Sequence, residues 1–275
     1  MNRVFRSATR SAFAVVSFIA LGTAHAAVPA PFNVPDEINM PSGPEGSAIN
    51  LGKALITETK KLLPNNVGNG LNCSNCHLGA GTVALAGPFV GLQGVFPEYR
   101  NRGGNIDSLQ ERINDCFVRS MNGKALAWDS AEMNAILMYI HWLSTGVPVG
   151  TAVVGRGMGS VDIALLPNPA HGKQVYAEKC AVCHGATGAG TRNPAGGYTF
   201  PPVWGSASFN VGAGLARTYT AAAFIKHNMP LGQGGTLSDQ DAIDVAEFMT
   251  HQPRPAFAAA KHDYAQGNKP KDARN

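Results

Sequence analysis

A chain of 275 residues, 44% hydrophobic and 15% charged, is long enough for two globular domains and too mixed in composition for a disordered or fibrous protein. Its 22 Lys and Arg against 18 Asp and Glu leave a charge balance too even for a nucleic-acid-binding surface. Any attraction for small anions must therefore come from a local cluster of arginines.

Arg3, Arg6 and Arg10 precede an apolar run over 12–21, and Ala24-His25-Ala26 has the small-x-small form of a cleavage site. Residues 1–26 read as a signal peptide, with the mature chain starting at Ala27. The apolar run falls short of the roughly 18 to 20 residues a membrane span needs, so no span is expected in the mature chain. A Gram-negative periplasm is the expected address. Without the three leader arginines the charge is nearly neutral, 19 basic against 18 acidic.

Residues 27–47 are rich in Pro, Gly and small residues and read as an extended arm. A helix is expected over 49–63, with Leu51, Leu55 and Leu62 on one side and Lys53, Lys60 and Lys61 on the other. Cys73-Ser74-Asn75-Cys76-His77 follows. This C-x-x-C-H pattern attaches c-type haem, because two thiols three positions apart can add to both porphyrin vinyls while the adjoining imidazole reaches the iron. Residues 79–104 suit a loop packed over a haem edge. Helices are expected over 108–121, capped at Asp107-Ser108, and over 130–144, where Met133, Ile136, Leu137, Ile140 and Leu143 recur at helical spacing. Met133, Met138 and His141 read as core and surface of that second helix.

Residues 146–170 lack periodicity and read as a linker, Met158 included, with His171 just beyond it. The pentapeptide then recurs as Cys180-Ala181-Val182-Cys183-His184, 107 residues on from the first (73 to 180), and Ser238, opening the last expected helix, lies 108 residues on from Ser130. That near-equality marks two domains of one fold. The fold class is all-α: two tandem cytochrome c-type domains, over 27–145 and 171–256, joined by the linker and followed by a flexible polar tail over 257–275. Two covalently attached c-type haems are expected, bound through Cys73 and Cys76 and through Cys180 and Cys183. Zinc is disfavoured, since each cysteine pair carries its own His where a four-cysteine site needs none.

His77 and His184 each supply one iron ligand. For the second haem Met229 stands out, following the expected helix over 220–228 and preceding Pro230; Lys226, His227 and Met249 are the alternatives. The first domain has no such Met-Pro loop and offers Cys116, the fifth and unpaired cysteine. Arg112, Cys116 and Ser120 are spaced by four and stack along one helix face, with Arg119 close by, and a cation one turn from the thiol favours the thiolate, the form that binds iron. Thiolate ligation would lower the first haem's potential and His/Met ligation raise the second's, so electrons would run from first to second.

These residues together, C-S-N-C-H, Arg102, the run from Arg112 through Cys116 to Ser120, C-A-V-C-H, Pro201-Pro202-Val203-Trp204-Gly205 and Asn228-Met229-Pro230, resemble the di-haem thiosulfate dehydrogenases. The resemblance implies oxidation of two thiosulfates to tetrathionate, with His77 and Cys116 on a catalytic haem and His184 and Met229 on a transfer haem. It also implies a substrate pocket lined by Arg102, Arg112 and Ser120, and some relatives run the reaction as tetrathionate reductases. Some members carry a Lys beside the methionine that replaces it on iron; here Asn228 stands there. The expected electron acceptor is an external redox protein, a small cytochrome c or a high-potential iron–sulfur protein. Rival readings are a haem subunit of a Sox-type complex that transfers sulfur to a carrier protein, a plain di-haem electron carrier, and a di-haem peroxidase.

Overall fold

The computed structural model describes residues 28–194 and 196–274; the expected signal peptide and the start at Ala27 lie outside the described residues. Six principal helices carry the architecture: α1 (Gly43–Thr57), α2 (Leu109–Asp115), α3 (Ala131–Leu143), α4 (Pro169–Val175), α5 (Thr218–Asn228) and α6 (Asp239–Thr250). Ser108, Ser130 and Ser238 cap α2, α3 and α6 through their side chains, and Asn168 caps α4. At α2 the cap is reciprocal, because Glu111 returns a bond to the Ser108 amide.

The strictly all-α expectation is corrected by two short antiparallel ribbons, Glu98–Arg100 with Asn105–Asp107 and Thr191–Arg192 with Tyr198–Phe200. Each belongs to a glycine-rich loop whose backbone groups pair with each other where no helix offers partners. The expected helix over 49–63 instead starts at Gly43 and breaks after Thr57, with a separate turn over Thr59–Leu62. Its buried face is also different: Ile49, Gly52, Leu55 and Ile56 are buried, whereas Leu51 is 44% exposed.

α1 packs across α3 and α4 packs across α6, and both crossings are made at a glycine. A methyl on Gly52 would run into the Ala135 carbonyl, and one on Gly172 into the Asp244 carbonyl. Two hydrophobic clusters result. One gathers α1, α2 and α3 around Ile49, Leu55, Phe117, Ile136 and Leu143; the other gathers α4, α5 and α6 around Tyr176, Ala222, Ile243 and Val245. The first cluster also includes Phe209, Ala213 and Ala216 from the second half of the chain.

Polar groups join the halves as well. Buried Asn69 donates to the carbonyls of Ser120 (2.8 Å) and Ser208 (3.1 Å), and buried Asn210 donates to Val118 O (2.9 Å) and Asn122 Oδ1 (3.1 Å). The linker lies against the first half: Leu85 N and Gly87 N donate to Gly155 O and Gly157 O at 2.7 Å each, and Ala30 of the N-terminal arm pairs with Ala152 and Val154. The tail expected to be flexible turns back across both halves, with a short 3-10 helix at Ala258–His262. Its Asp272 pairs with Arg217 (3.2 Å), and its Asn268 carbonyl accepts from Asn101 (2.8 Å). Among the described residues no helix is long and apolar enough to cross a membrane.

Because neither crossing carbonyl can retreat without parting two helices, Gly52→Ala and Gly172→Ala are each expected to destabilise the haem-loaded protein by about 1–3 kcal/mol. Chemical denaturation of both variants beside the wild type checks this.

Candidate functional site

His77 is held on its Nδ1 side by the Gly87 carbonyl at 2.5 Å, and its ring packs on Phe89 with centroids 4.5 Å apart. Gly87 has φ +59°, and a Cβ there would lie 2.8 Å from Met158 Cε and 3.0 Å from His77 Nδ1, so the carbonyl reaches the ring only because the residue is glycine. With Nδ1 occupied, Nε2 is the nitrogen left to bind a metal, the arrangement that fixes tautomer and ring direction in metal-ligating histidines.

Opposite His77 stands Cys116, at the point where α2 passes into a π-helical turn, Cys116–Ser120. The widening has a visible cause. Met121 N bonds to Cys116 O, while buried Asn114 clasps Leu126 through both its amide oxygen (2.8 Å) and its amide nitrogen (3.0 Å), drawing the following loop back against α2. Asn69 and Asn210 hold the turn's outer carbonyls from the other side. Arg112, Cys116 and Ser120, the stripe expected from the sequence, all line one cavity, with the step from Cys116 to Ser120 crossing the π-helical turn.

Arg112 Nη1 donates to Cys116 Sγ at 3.0 Å. Burial alone would raise the thiol's pKa, but the Arg112 cation and the facing His77 imidazole more than offset it and bring it down to about 7. The other two cysteines of the same cavity behave oppositely. Burial pushes Cys73 and Cys76 up to about 12, with Cys116 adding to the rise. One cavity thus holds two thiols that burial keeps protonated and one that ionises readily, and the thiolate is the form that binds iron.

The cavity between His77 and Cys116 has a volume of about 1220 Å³ and is lined by all three cysteines together with Arg102, Arg112, Arg119 and Ser120. Its size, the His77 Nε2 turned away from Gly87 and the facing sulfur fit a c-type haem held by Cys73 and Cys76. Arg102 donates to Gly212 O at 2.9 Å. Arg119, named in the sequence reading only as a neighbour, is a substantial part of the wall: its side chain is 12% exposed and paired with Asp115 (3.0 Å) and Asp263 (2.8 Å). Met158, read as an ordinary linker residue, also lines the cavity. No periodicity could have signalled Met158 or Asp263, because both lie in segments without regular structure.

In the second half His184 Nδ1 meets the Pro201 carbonyl at 2.8 Å, repeating the His77 arrangement, and burial lowers the imidazole's pKa, which favours the neutral, metal-binding form. Burial likewise pushes Cys180 up to about 11. Met229, Cys180 and Trp204 all pack against the second cluster. The alternatives to Met229 have other engagements. Lys226 pairs with Asp239, His227 Nε2 meets Ser160 O at 3.2 Å, and Met249 is buried in the α5–α6 core. Asn228 donates to Leu85 O and Phe224 O at 3.0 Å each.

Comparison with known proteins agrees with this two-site arrangement. A family model for the SoxA/TsdA cytochrome c domain matches residues 64–149, and one for subunit III of cbb3-type cytochrome c oxidase matches 167–249. The chain therefore has two cytochrome c domains, each with its own haem-attachment pentapeptide. It is 52% identical over 241 residues to a thiosulfate dehydrogenase of Psychrobacter arcticus, covering 88% of this chain and 74% of that one. To the thiosulfate dehydrogenase of Allochromatium vinosum it is 46% identical over 256 residues, covering 90% and 95%. Among solved structures, the thiosulfate dehydrogenase TsdBA of Marichromatium purpuratum in its as-isolated form superposes with a TM-score of 0.77 at 38% identity, over 83% of this chain and 50% of that longer one. With this identity sustained across nearly the whole of the A. vinosum protein, and an arginine-paired cysteine facing the first haem histidine, the chain belongs to the thiosulfate dehydrogenase family.

Proposed function

We propose that this protein oxidises thiosulfate to tetrathionate in the periplasm, 2 S2O3²⁻ giving S4O6²⁻ and two electrons, and delivers those electrons to a small cytochrome c or high-potential iron–sulfur protein. The observation that carries the reading is the Arg112–Cys116 contact of 3.0 Å inside the arginine-lined cavity, opposite His77. The export segment supports the address, and in this reading the domain over 27–145 carries the substrate chemistry and the domain over 171–256 the electron exit.

The c-type haems, when bound, supply acceptance of one electron at a time, which no side chain here can provide. In this reading Cys73 and Cys76 tether the first and Cys180 and Cys183 the second, with His77 and Cys116, and His184 and Met229, as iron ligands. The remaining work falls to the side chains. Two dianions must approach sulfur to sulfur, so Arg102 and Arg112 supply fixed cations where the like charges meet, their planar forks matching the sulfonate oxygens. Ser120 adds a hydroxyl on the same wall. Arg112 also keeps Cys116 ionised, leaving a sulfur able to form a sulfur–sulfur bond with one thiosulfate, an oxidation whose two electrons the bound haems would accept one at a time. Attack by the second thiosulfate on that adduct releases tetrathionate and returns the thiolate.

Purified haem-loaded protein mixed with thiosulfate and ferricyanide, without partners, should form tetrathionate; a requirement for a carrier protein would move the assignment to Sox-type sulfur transfer. Cys116→Gly should abolish tetrathionate formation with both haems still attached, and Arg112→Ala should lower turnover by roughly 100- to 1,000-fold, the usual effect of removing one preorganised electrostatic donor. Since Arg112 lowers the Cys116 pKa, the same variant should also move upward the pH below which the thiolate signature of the first haem is lost, read in an optical pH titration. Met229→Gly should remove the weak long-wavelength sulfur-to-iron band of an oxidised His/Met haem while leaving the first haem's spectrum unchanged. Survival of that band would transfer the ligand role to another residue.

A further inference from the structure

The C-terminal segment beyond Pro255 is anchored on the substrate cavity rather than beside it. Phe257 lies under the Arg119 guanidinium, with Cζ 4.8 Å from the ring centroid. The short helix Ala258–His262 then brings Asp263 against two of the cavity's arginines, Arg119 and Arg102. Asp263 accepts from both terminal nitrogens of Arg119 at 2.8 Å each, a parallel fork, and its Oδ2 stands 4.0 Å from Arg102 Nε. The next residue completes the hold on Arg102: Tyr264 N donates to the Arg102 carbonyl at 2.8 Å. Arg102 and Arg119 also converge on one acceptor, Gly212 O, at 2.9 and 3.3 Å. Arg112, in contrast, spends its short contact on the Cys116 sulfur.

We propose that Asp263 is a positioning residue for the dianion site, fixing the Arg119 and Arg102 guanidinium groups so that Arg102 meets an incoming thiosulfate already oriented. This rests on the proposed function and deepens it, by making the C-terminal segment part of the substrate site. An arginine free to rotate loses side-chain freedom when it captures an anion, and a prior anchor removes most of that loss. Asp263 also carries a negative charge toward a site for anions, so two roles predict opposite signs. If it only cancelled cationic charge, its removal would tighten dianion binding; as an anchor, its removal weakens binding.

The test uses the full-length, haem-loaded protein and its Asp263→Asn variant, which preserves size but cannot hold both arms of the Arg119 fork. Thiosulfate oxidation with ferricyanide should lose roughly 10- to 100-fold in kcat/KM, the scale of a small misplacement of a substrate-binding group, mainly through KM. Sulfate, a dianion that does not react, should bind more weakly to the variant by calorimetry. Arg102→Ala should cost much less in the Asp263→Asn background than in the wild type, because coupled residues are not additive. Asp263→Glu, which restores the charge at a displaced position, should recover part of the loss, and it carries the test if Asp263→Asn loses haem. Unchanged or tighter sulfate binding, additive effects of Arg102→Ala, or a wild-type protein that binds no sulfate would each overturn the positioning role. Failure of the wild type to oxidise thiosulfate would overturn the proposed function instead, and the sulfate measurements would still decide on Asp263.

Discussion

The contact between Arg112 and Cys116 is the constraint to which the first half of the molecule answers. A cysteine enclosed by protein is ordinarily a weak acid, because burial disfavours its anion. Here the Arg112 guanidinium 3.0 Å away, with His77 adding to it, more than offsets burial and brings the thiol's pKa down to about 7. The separation depends on α2 remaining α-helical up to Cys116, so that Arg112 sits one turn below it, and on the backbone widening immediately afterwards. A continuous α-helix through residue 120 would offer the same sequence with a different set of neighbours around the sulfur.

Holding such a turn is a cooperative task. Its carbonyls take bonds from Asn69 on one side and from Asn210 of the second cytochrome c domain on the other, while Asn114 restrains the loop that follows. Buried amides of this kind are costly when unpaired and rigid when fully paired. The second domain therefore contributes to the first: residues 207–213 form part of the frame in which Cys116 sits. Phe209, Ala213 and Ala216 extend that frame into the first hydrophobic cluster.

How much of this was readable from the sequence follows from the range of each interaction. The haem pentapeptides were legible because attachment chemistry needs its thiols and imidazole within five residues, and the serine-capped helices because cap and periodicity are local. Cys116 with Arg112 was legible for the same reason, being one helical turn apart. The buried face of α1 was misread through Leu51, since the close approach to α3 is set by Gly52, a residue with no hydropathy to register. The π-turn was not legible because its cause lies in Leu126 and in the other half of the chain. Asp263 was hidden most completely, as a single acid in a polar tail gives no sign of two arginines more than 140 residues upstream.

Asn228 reaches from the end of α5 to the carbonyl of Leu85, and Leu85 lies two residues from the Gly87 carbonyl that steadies His77. Met229 and His77 are thus the two ends of one short strut that crosses the domain boundary. The loop that carries Met229 and the loop that steadies His77 are thereby tied together across the domain boundary through the Asn228 amide.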